Sequence, residues 1–408
     1  MLIEFTIGNY LSFKEKRTLS LEASRIREHP ESVILTGSQK LLRSAVIYGA
    51  NSSGKSNLIK GLETMFEIIK TSASKSSADE IAVNPFLLDD VSSSQPSHFE
   101  ILFKLGQTNY RYGFEADKKK IWNEWFYVDS EGHEKLMFIR TNDSIEVTDE
   151  FPEGQGLEEK TRDNALFLSV VDQFNGETAK KIMNWVRFTV IFSGIEHEKV
   201  KGLTSAFLRR DGLSKDVRMF LRQLNLGFLE FEIEELDSRT SNVLTVHNKY
   251  NQHGEIIDKV KFDLQKQESK GTNKLFDMAA SIVSGLLLGS LTVVDELDAK
   301  LHPVLTSSIV RLFNSPETNP SNAQLIFATH DTNLLSGDIF RRDQIWFTEK
   351  NQVESTDLYS LVEYKEPDGV KVRNDRSFEK DYINGRYGAI PFIGDFSNLV
   401  GNGTEREN

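Results

Sequence analysis

Residues 44–62 read SAVIYGANSSGKSNLIKGL, and this stretch decides the fold. The apolar run Ala45, Val46, Ile47, Tyr48 stops at Gly49, a small polar loop follows, and Ser56 to Phe66 has helical spacing. Gly49, Gly54, Lys55 and Ser56 satisfy G-x-x-x-x-G-K-[ST] in the strand-to-helix setting that this pattern requires. The glycines let the backbone curl, so that N–H groups from Gly49 through Asn51, Ser52, Ser53, Gly54, Lys55 and Ser56 to Asn57 face phosphate oxygens. The helix aims its positive end at the same point. Lys55 is expected to reach the β- and γ-phosphates, and the Ser56 hydroxyl to ligate Mg²⁺. A nucleotide is the first ligand to expect; the alternative is a chance match in a loop rich in Ser and Gly.

At 408 residues the chain exceeds what one hydrophobic core usually supports, so two lobes or a domain with a large insertion is expected. Its 38% hydrophobic and 27% charged content is that of a globular protein, and no run approaches the roughly 18 apolar residues of a membrane span. The opening MLIEFTIGNYLSF reads as a strand and not as a signal peptide, since Glu4 stands where a basic segment is needed. With no cysteine there are no disulfides or thiolate metal sites, and the expected location is the cytoplasm. A net charge of −12 argues against a chain dominated by non-specific binding to phosphate backbones. The basic clusters Lys14 to Arg17, Lys118 to Lys120 and Arg209-Arg210 read first as solvated faces.

Apolar alternation around Leu2, Phe5 and Ile7, and again at Leu19 and Leu21, predicts two short leading strands. Phe99 to Leu105, Asn109 to Ala116, Trp122 to Asp129 and Leu136 to Arg140 predict a meander of antiparallel hairpins. Their aromatics, among them Tyr110, Tyr112, Phe114, Trp125 and Phe126, read as core before they read as base-stacking platforms. Between Asn164 and Arg222 the apolar spacing lengthens and predicts helices, and strands return from Leu229 to Leu264. Beyond Ser269, apolar strands at Leu291 to Val294, Gln324 to Ala328 and Gln344 to Phe347 alternate with helices. That order predicts a parallel sheet covered by helices and built from both ends of the sequence.

Asp295 and Glu296 stand at the carboxyl end of a buried strand, where open α/β sheets place their ligands. They are the expected Mg²⁺ carboxylate and general base, with a helix-capping pair as the alternative. His330, just past the strand LIFATHD, is the candidate that contacts the γ-phosphate or the attacking water.

GANSSGKSNL, SKGTNK, LTVVDELDAKLHP, IFATHD and FEKDYINGRYGAIPFI together resemble the ABC-type AAA15 ATPases, relatives of RecF and SMC heads found in prokaryotic antiphage systems of the Septu and PARIS type. The resemblance implies an α/β fold, a P-loop NTPase head of ABC type with a mixed sheet, an antiparallel β lobe and a helical insertion. It divides the chain into a first half of the head (1–70), a β lobe (71–160), a helical insertion (161–228), hairpins (229–268) and a second half of the head (269–408). By this resemblance Ser269, Gly271 and Thr272 form the signature segment that completes the nucleotide site of a facing copy, Asp298 to His302 form the D-loop, and His330 is the switch histidine. Lys270 and Thr272 depart from the SGG pattern of transporter ATPases. No glutamine marks a Q-loop, although Asn84-Pro85-Phe86 falls in its region. No heptad run forms a coiled-coil arm.

The function this implies is that of an ATPase with ATP and Mg²⁺ as cofactors and Glu296, His330 and Lys55 as catalytic groups. It assembles as a homodimer or larger homo-oligomer around ATP and controls a separately encoded nuclease or toxin. Nucleic acid or a phage protein is the expected trigger, and no membrane partner is expected. The alternatives are a RecF-like ATPase that clamps duplex DNA and a scaffold that binds ATP without hydrolysing it. The tail after His330 is expected to be too short for a Toprim nuclease, and Asp338, Asp343 and Asp381 read as scattered surface acids.

Overall fold

Leu2–Gly8 (β1) and Arg17–Ser20 (β2) pair antiparallel, and Val33–Thr36 (β3) with Gln39–Leu42 (β4) form a small hairpin. Ser44–Tyr48 (β5) runs into the helix Lys55–Thr71 (α1). Next come five antiparallel strands: Ser97–Leu105 (β6), Thr108–Ala116 (β7), Ile121–Asp129 (β8), Glu134–Thr141 (β9) and Ser144–Val147 (β10). Helices Phe167–Gln173 (α2) and Glu177–Phe188 (α3) lead to the strand Val190–Ser193 (β11) and on to Leu203–Leu208 (α4) and Ser214–Gln223 (α5). Glu230–Glu235 (β12), Ser241–Tyr250 (β13) and Ile256–Asp263 (β14) make a sheet of their own, and Leu264–Gln267 (α6) leads to Lys270–Leu288 (α7). Leu291–Asp295 (β15), Pro303–Asn314 (α8), Gln324–Ala328 (β16), Ile345–Lys350 (β17), Thr356–Ser360 (β18) and Phe378–Ile383 (α9) follow. This computed structural model describes residues 1–130, 132–142, 144–195, 200–209, 214–235, 241–366 and 369–391, so Arg210 and the Phe392-Ile393 end of the tail motif lie outside the described residues.

The central sheet has the order β11-β15-β16-β5-β17-β18, parallel throughout except for the last antiparallel pair. Its strands are apolar because both faces are covered. Ala45, Ile47, Val293, Ile326 and Ala328 point into one core shared with α1, α2, α3 and the antiparallel sheet. Their neighbours Val46, Tyr48, Val294, Leu325 and Phe327 point into a second core shared with α5, α7 and α8. The chain is therefore α/β, with the P-loop strand inside a helix-covered sheet.

Two differences from the sequence reading matter for the site. The antiparallel sheet has the order β10-β9-β8-β7-β6-β1-β2, so residues 2–20 complete the β lobe instead of staying with the first half of the head. The lobe boundary expected at residue 70 thus separates strands that share one sheet. Likewise β11, within the expected helical insertion 161–228, is a strand that joins the central sheet beside β15. Of the meander's aromatic residues, Tyr110, Tyr112, Phe114 and Phe126 are core, while Trp122, Trp125 and Tyr127 are half-buried, the Trp125 indole donating to Glu100.

Candidate functional site

Three strand ends meet at the carboxyl edge of the central sheet. β5 delivers the loop 49–54, β15 delivers Asp295 and Glu296, and β16, which lies between them, delivers His330.

The loop is clamped from within the chain. Ser53 Oγ lies 2.6 Å from Thr348 Oγ1, and the Thr356 hydroxyl donates to the Ser53 carbonyl over 2.9 Å. Thr356 Oγ1 also lies 2.7 Å from the Ser12 hydroxyl, which accepts from Asn57 Nδ2 at 2.8 Å. Both loop glycines are required by this closeness. A Cβ on Gly54, whose φ is +115°, would stand 2.3 Å from Thr356 Oγ1, and one on Gly49 would stand 2.5 Å from the Thr348 carbonyl. Ser12, Thr348 and Thr356 are the residues that motif reading missed. Nothing local marks them, because they reach the loop from the β1–β2 bend and from strands some 300 residues further on.

Lys55 is buried, and its ammonium donates to the Gly49 and Ala50 carbonyls at 2.8 and 3.0 Å. Burial lowers its pKa, against the opposing pull of Asp295, Glu296 and Asp298 in turn. Those three carboxylates therefore face the P-loop lysine, which gathers the cation and the acids in one cleft. Ser56, Asn51 and Ser52 are exposed on the same loop, with Ser52 held at φ +64°. His330 stands exposed at the end of β16. Its pKa is lowered first by the desolvation of its inner face and then by Lys55, against the attraction of Asp298, Glu296 and Asp295. That favours the neutral ring, able to accept as well as donate a hydrogen bond near neutral pH.

Asp295 Oδ1 is buried and has no hydrogen-bond partner among the described residues. An unpartnered carboxylate oxygen in a cleft that also holds an exposed serine hydroxyl fits Mg²⁺. This ion is commonly held by one or two protein groups together with substrate phosphates. Asp295 and Ser56 are the groups that would hold it, and when bound it would neutralise phosphate charge. Glu296 sits in the left-handed region at φ +52°, a conformation that a non-glycine residue keeps only under constraint. The constraint comes from its neighbours: the Gly194 N–H donates to the Asp295 carbonyl at 2.6 Å, and the Leu297 N–H to the Ala328 carbonyl at 3.1 Å.

The segment Ser269 to Thr272 opens α7. Ser269 is the N-cap of α7, its hydroxyl accepting from the Thr272 N–H at 3.1 Å and lying 2.9 Å from Thr272 Oγ1. Such a cap is worth about 1 kcal/mol to the helix. Gly271 abuts the Lys300 carbonyl, which a Cβ there would approach to 2.7 Å. Ser269 and Lys270 are exposed. The Asn84-Pro85-Phe86 segment holds the bend before Ser12, through Leu11 N–H to Asn84 O at 2.8 Å and Phe86 N–H to Asn9 Oδ1 at 3.1 Å.

Residues 44–336 match the family AAA_21, described as "AAA domain, putative AbiEii toxin, Type IV TA system". The match runs from the P-loop strand past His330. No curated protein is similar enough to match. Among the described residues, no helix is long and apolar enough to cross a membrane.

Proposed function

The chain belongs to this AAA-domain family of P-loop ATPases, and we propose that it hydrolyses ATP at sites shared between two copies of itself, as the regulatory subunit of a prokaryotic defence module. The observation that carries the hydrolytic part is the single cleft holding Lys55, the unpartnered Asp295 oxygen, the constrained Glu296 and the neutral-leaning His330. Lys55 takes the β- and γ-phosphates, Glu296 withdraws a proton from the attacking water, and His330 orients that water or the γ-phosphate. The exposed first turn of α7, with free N–H groups and a capping hydroxyl, supports sharing of the site. It offers a positive helix end to a phosphate that its own loop already surrounds from the other side.

The defence role is supported by the toxin and Type IV TA description of the matched family and by the AAA15-like motif set. In this reading the chain holds or releases a separately encoded nuclease or toxin, and its ATP state is the switch.

The test is phosphate release from Mg-ATP by the wild-type chain and by Glu296→Gln, followed together with oligomer size. Turnover by the wild type, its loss in the variant and an ATP-stabilised oligomer are the expected results. Equal turnover in both would overturn the assignment of Glu296. The same assay with duplex DNA separates this reading from a DNA clamp: strong stimulation that falls steeply with salt would favour the clamp.

A further inference from the structure

One buried cation has no place in the mechanism so far. Lys274 lies one turn into α7, is fully buried, and spends its ammonium on three backbone carbonyls: Glu296 at 3.3 Å, Leu297 at 2.8 Å and Ala299 at 2.7 Å. A lysine has three donors, and here all three go to carbonyls of the single turn that carries the general base. Burial pushes its pKa down to about 8 despite Asp298 and Glu296 nearby, so the charge is held there at a cost and not for want of an alternative. Lining α7 with an apolar residue at this depth would avoid that cost.

The surroundings are shaped around the contact. Gly194, at the end of β11, lies so close that a Cβ there would meet the Glu296 carbonyl at 2.1 Å and Lys274 Nζ at 2.7 Å. Its N–H fixes the Asp295 carbonyl. Lys274 grips the next peptides, and the Ala299 N–H closes the turn onto the Glu296 carbonyl at 3.1 Å. The left-handed backbone of Glu296 is thereby held between β11 and α7.

We propose that Lys274 is a positioning residue: it ties the helix that starts at Ser269 to the backbone of Glu296, so that engagement of that helix by a second copy sets the general base of the same chain. The inference rests on the shared-site ATPase reading and adds a direction to it. A phosphate docking on the first turn of α7 pulls on a rigid helix, and the buried Lys274 ammonium one turn further on hands the displacement to the peptide carrying Glu296. Each copy thus senses its neighbour's nucleotide with the first turn of α7 and adjusts its own base through Lys274 in the turn that follows.

The experiment compares wild type, Lys274→Met and Lys274→Arg for kcat, KM, affinity for a fluorescent ATP analogue and thermal unfolding temperature. The expected result is a fall in kcat of on the order of 10²-fold in the methionine variant, in the range for a mis-set general base, with analogue affinity within about threefold of wild type. The arginine variant, which keeps charge and donors, is expected to recover at least a tenth of the wild-type kcat. An unchanged kcat in the folded methionine variant overturns the proposal. So does a parallel loss of analogue binding and unfolding temperature that arginine does not restore, because that is the mark of a purely structural lysine. Absence of turnover in the wild type would instead overturn the ATPase reading itself.

Discussion

The phosphate loop and the turn proposed to complete a facing copy's site are built in opposite ways. The loop 49–56 is gripped by its own chain: Thr348 and Thr356 hold Ser53, Ser12 holds Asn57, and Lys55 folds back onto two loop carbonyls. The turn 269–272 is left to itself, its hydroxyls bonded only across the first turn of α7 and its leading residues exposed. A phosphate loop that needed shaping by ligand would not require glycines at positions where a Cβ overlaps a threonine, so this half is formed before nucleotide arrives. The exposed turn has the chemistry of a phosphate site without the walls of one. On the proposed reading of a shared site, the contrast is between one half-site finished in its own chain and one half-site that a counterpart would complete.

The largest effects are expected where the finished half is disabled. Lys55→Ala removes the cation that meets the β- and γ-phosphates, and both analogue binding and turnover should fall below detection. Glu296→Gln should leave binding intact and lower kcat by roughly 10²- to 10⁴-fold, the usual worth of a general base. A Lys55→Ala protein that still binds the analogue at wild-type strength would break the comparison at its firmer end.

The other end is tested by Ser269→Arg, which puts bulk and charge on the exposed turn. Binding of ATP by the monomer is expected to stay within about threefold, with turnover lost, since the Ser269 hydroxyl is bonded within its own turn and not to the loop 49–56. Mixing this protein with Lys55→Ala sharpens the point. Random pairing in a two-fold dimer gives mixed dimers with one intact site, so turnover should return to about a quarter of the wild-type rate. Two inactive proteins that stay inactive when mixed, although shown to pair with each other in the presence of ATP, would mean that the site is not shared.

How far these halves were legible in the sequence follows from the range of the contacts involved. Gly49, Gly54, Lys55 and Ser56 announce themselves because their roles are set by eight neighbouring residues, and the apolar strands before Asp295 and His330 are read from local pattern. The stretch of β11 reads as helix in the sequence because it is four residues long, follows closely on α3, and buries only Phe192, so it shows neither period clearly. The placement of β1 and β2 in the antiparallel sheet was hidden for another reason. The pairing of β1 with β6 joins Ile7 to Phe99, and no turn or spacing in between records it. Nothing in the sequence marks Lys274, since a buried lysine and an exposed one are the same letter. Thr356 was invisible on every local measure.

Thr356 therefore carries the smallest and most discriminating change. Its hydroxyl donates to the buried Ser53 carbonyl at 2.9 Å and lies 2.7 Å from Ser12 Oγ, while its methyl and Cβ fill the space that Gly54 leaves empty. Replacing Gly54 by Ala attacks that fit from the loop side, with strain at φ +115° and overlap with Thr356 together costing on the order of 3 kcal/mol. Thr356→Val attacks it from the clamp side and keeps the shape. The remaining loss is a buried carbonyl without its donor, about 1–2 kcal/mol. Unfolding by denaturant should show a lower midpoint with an unchanged slope, because the compactness of neither state changes. If the loop is formed in advance by its clamp, part of that loss also appears as weaker nucleotide binding, by less than about tenfold, since the ligand must then organise what Thr356 organised before. An unchanged analogue affinity alongside the lower midpoint would mean that Thr356 supports the sheet edge and not the loop, and that the finished half-site owes its shape to the glycines alone.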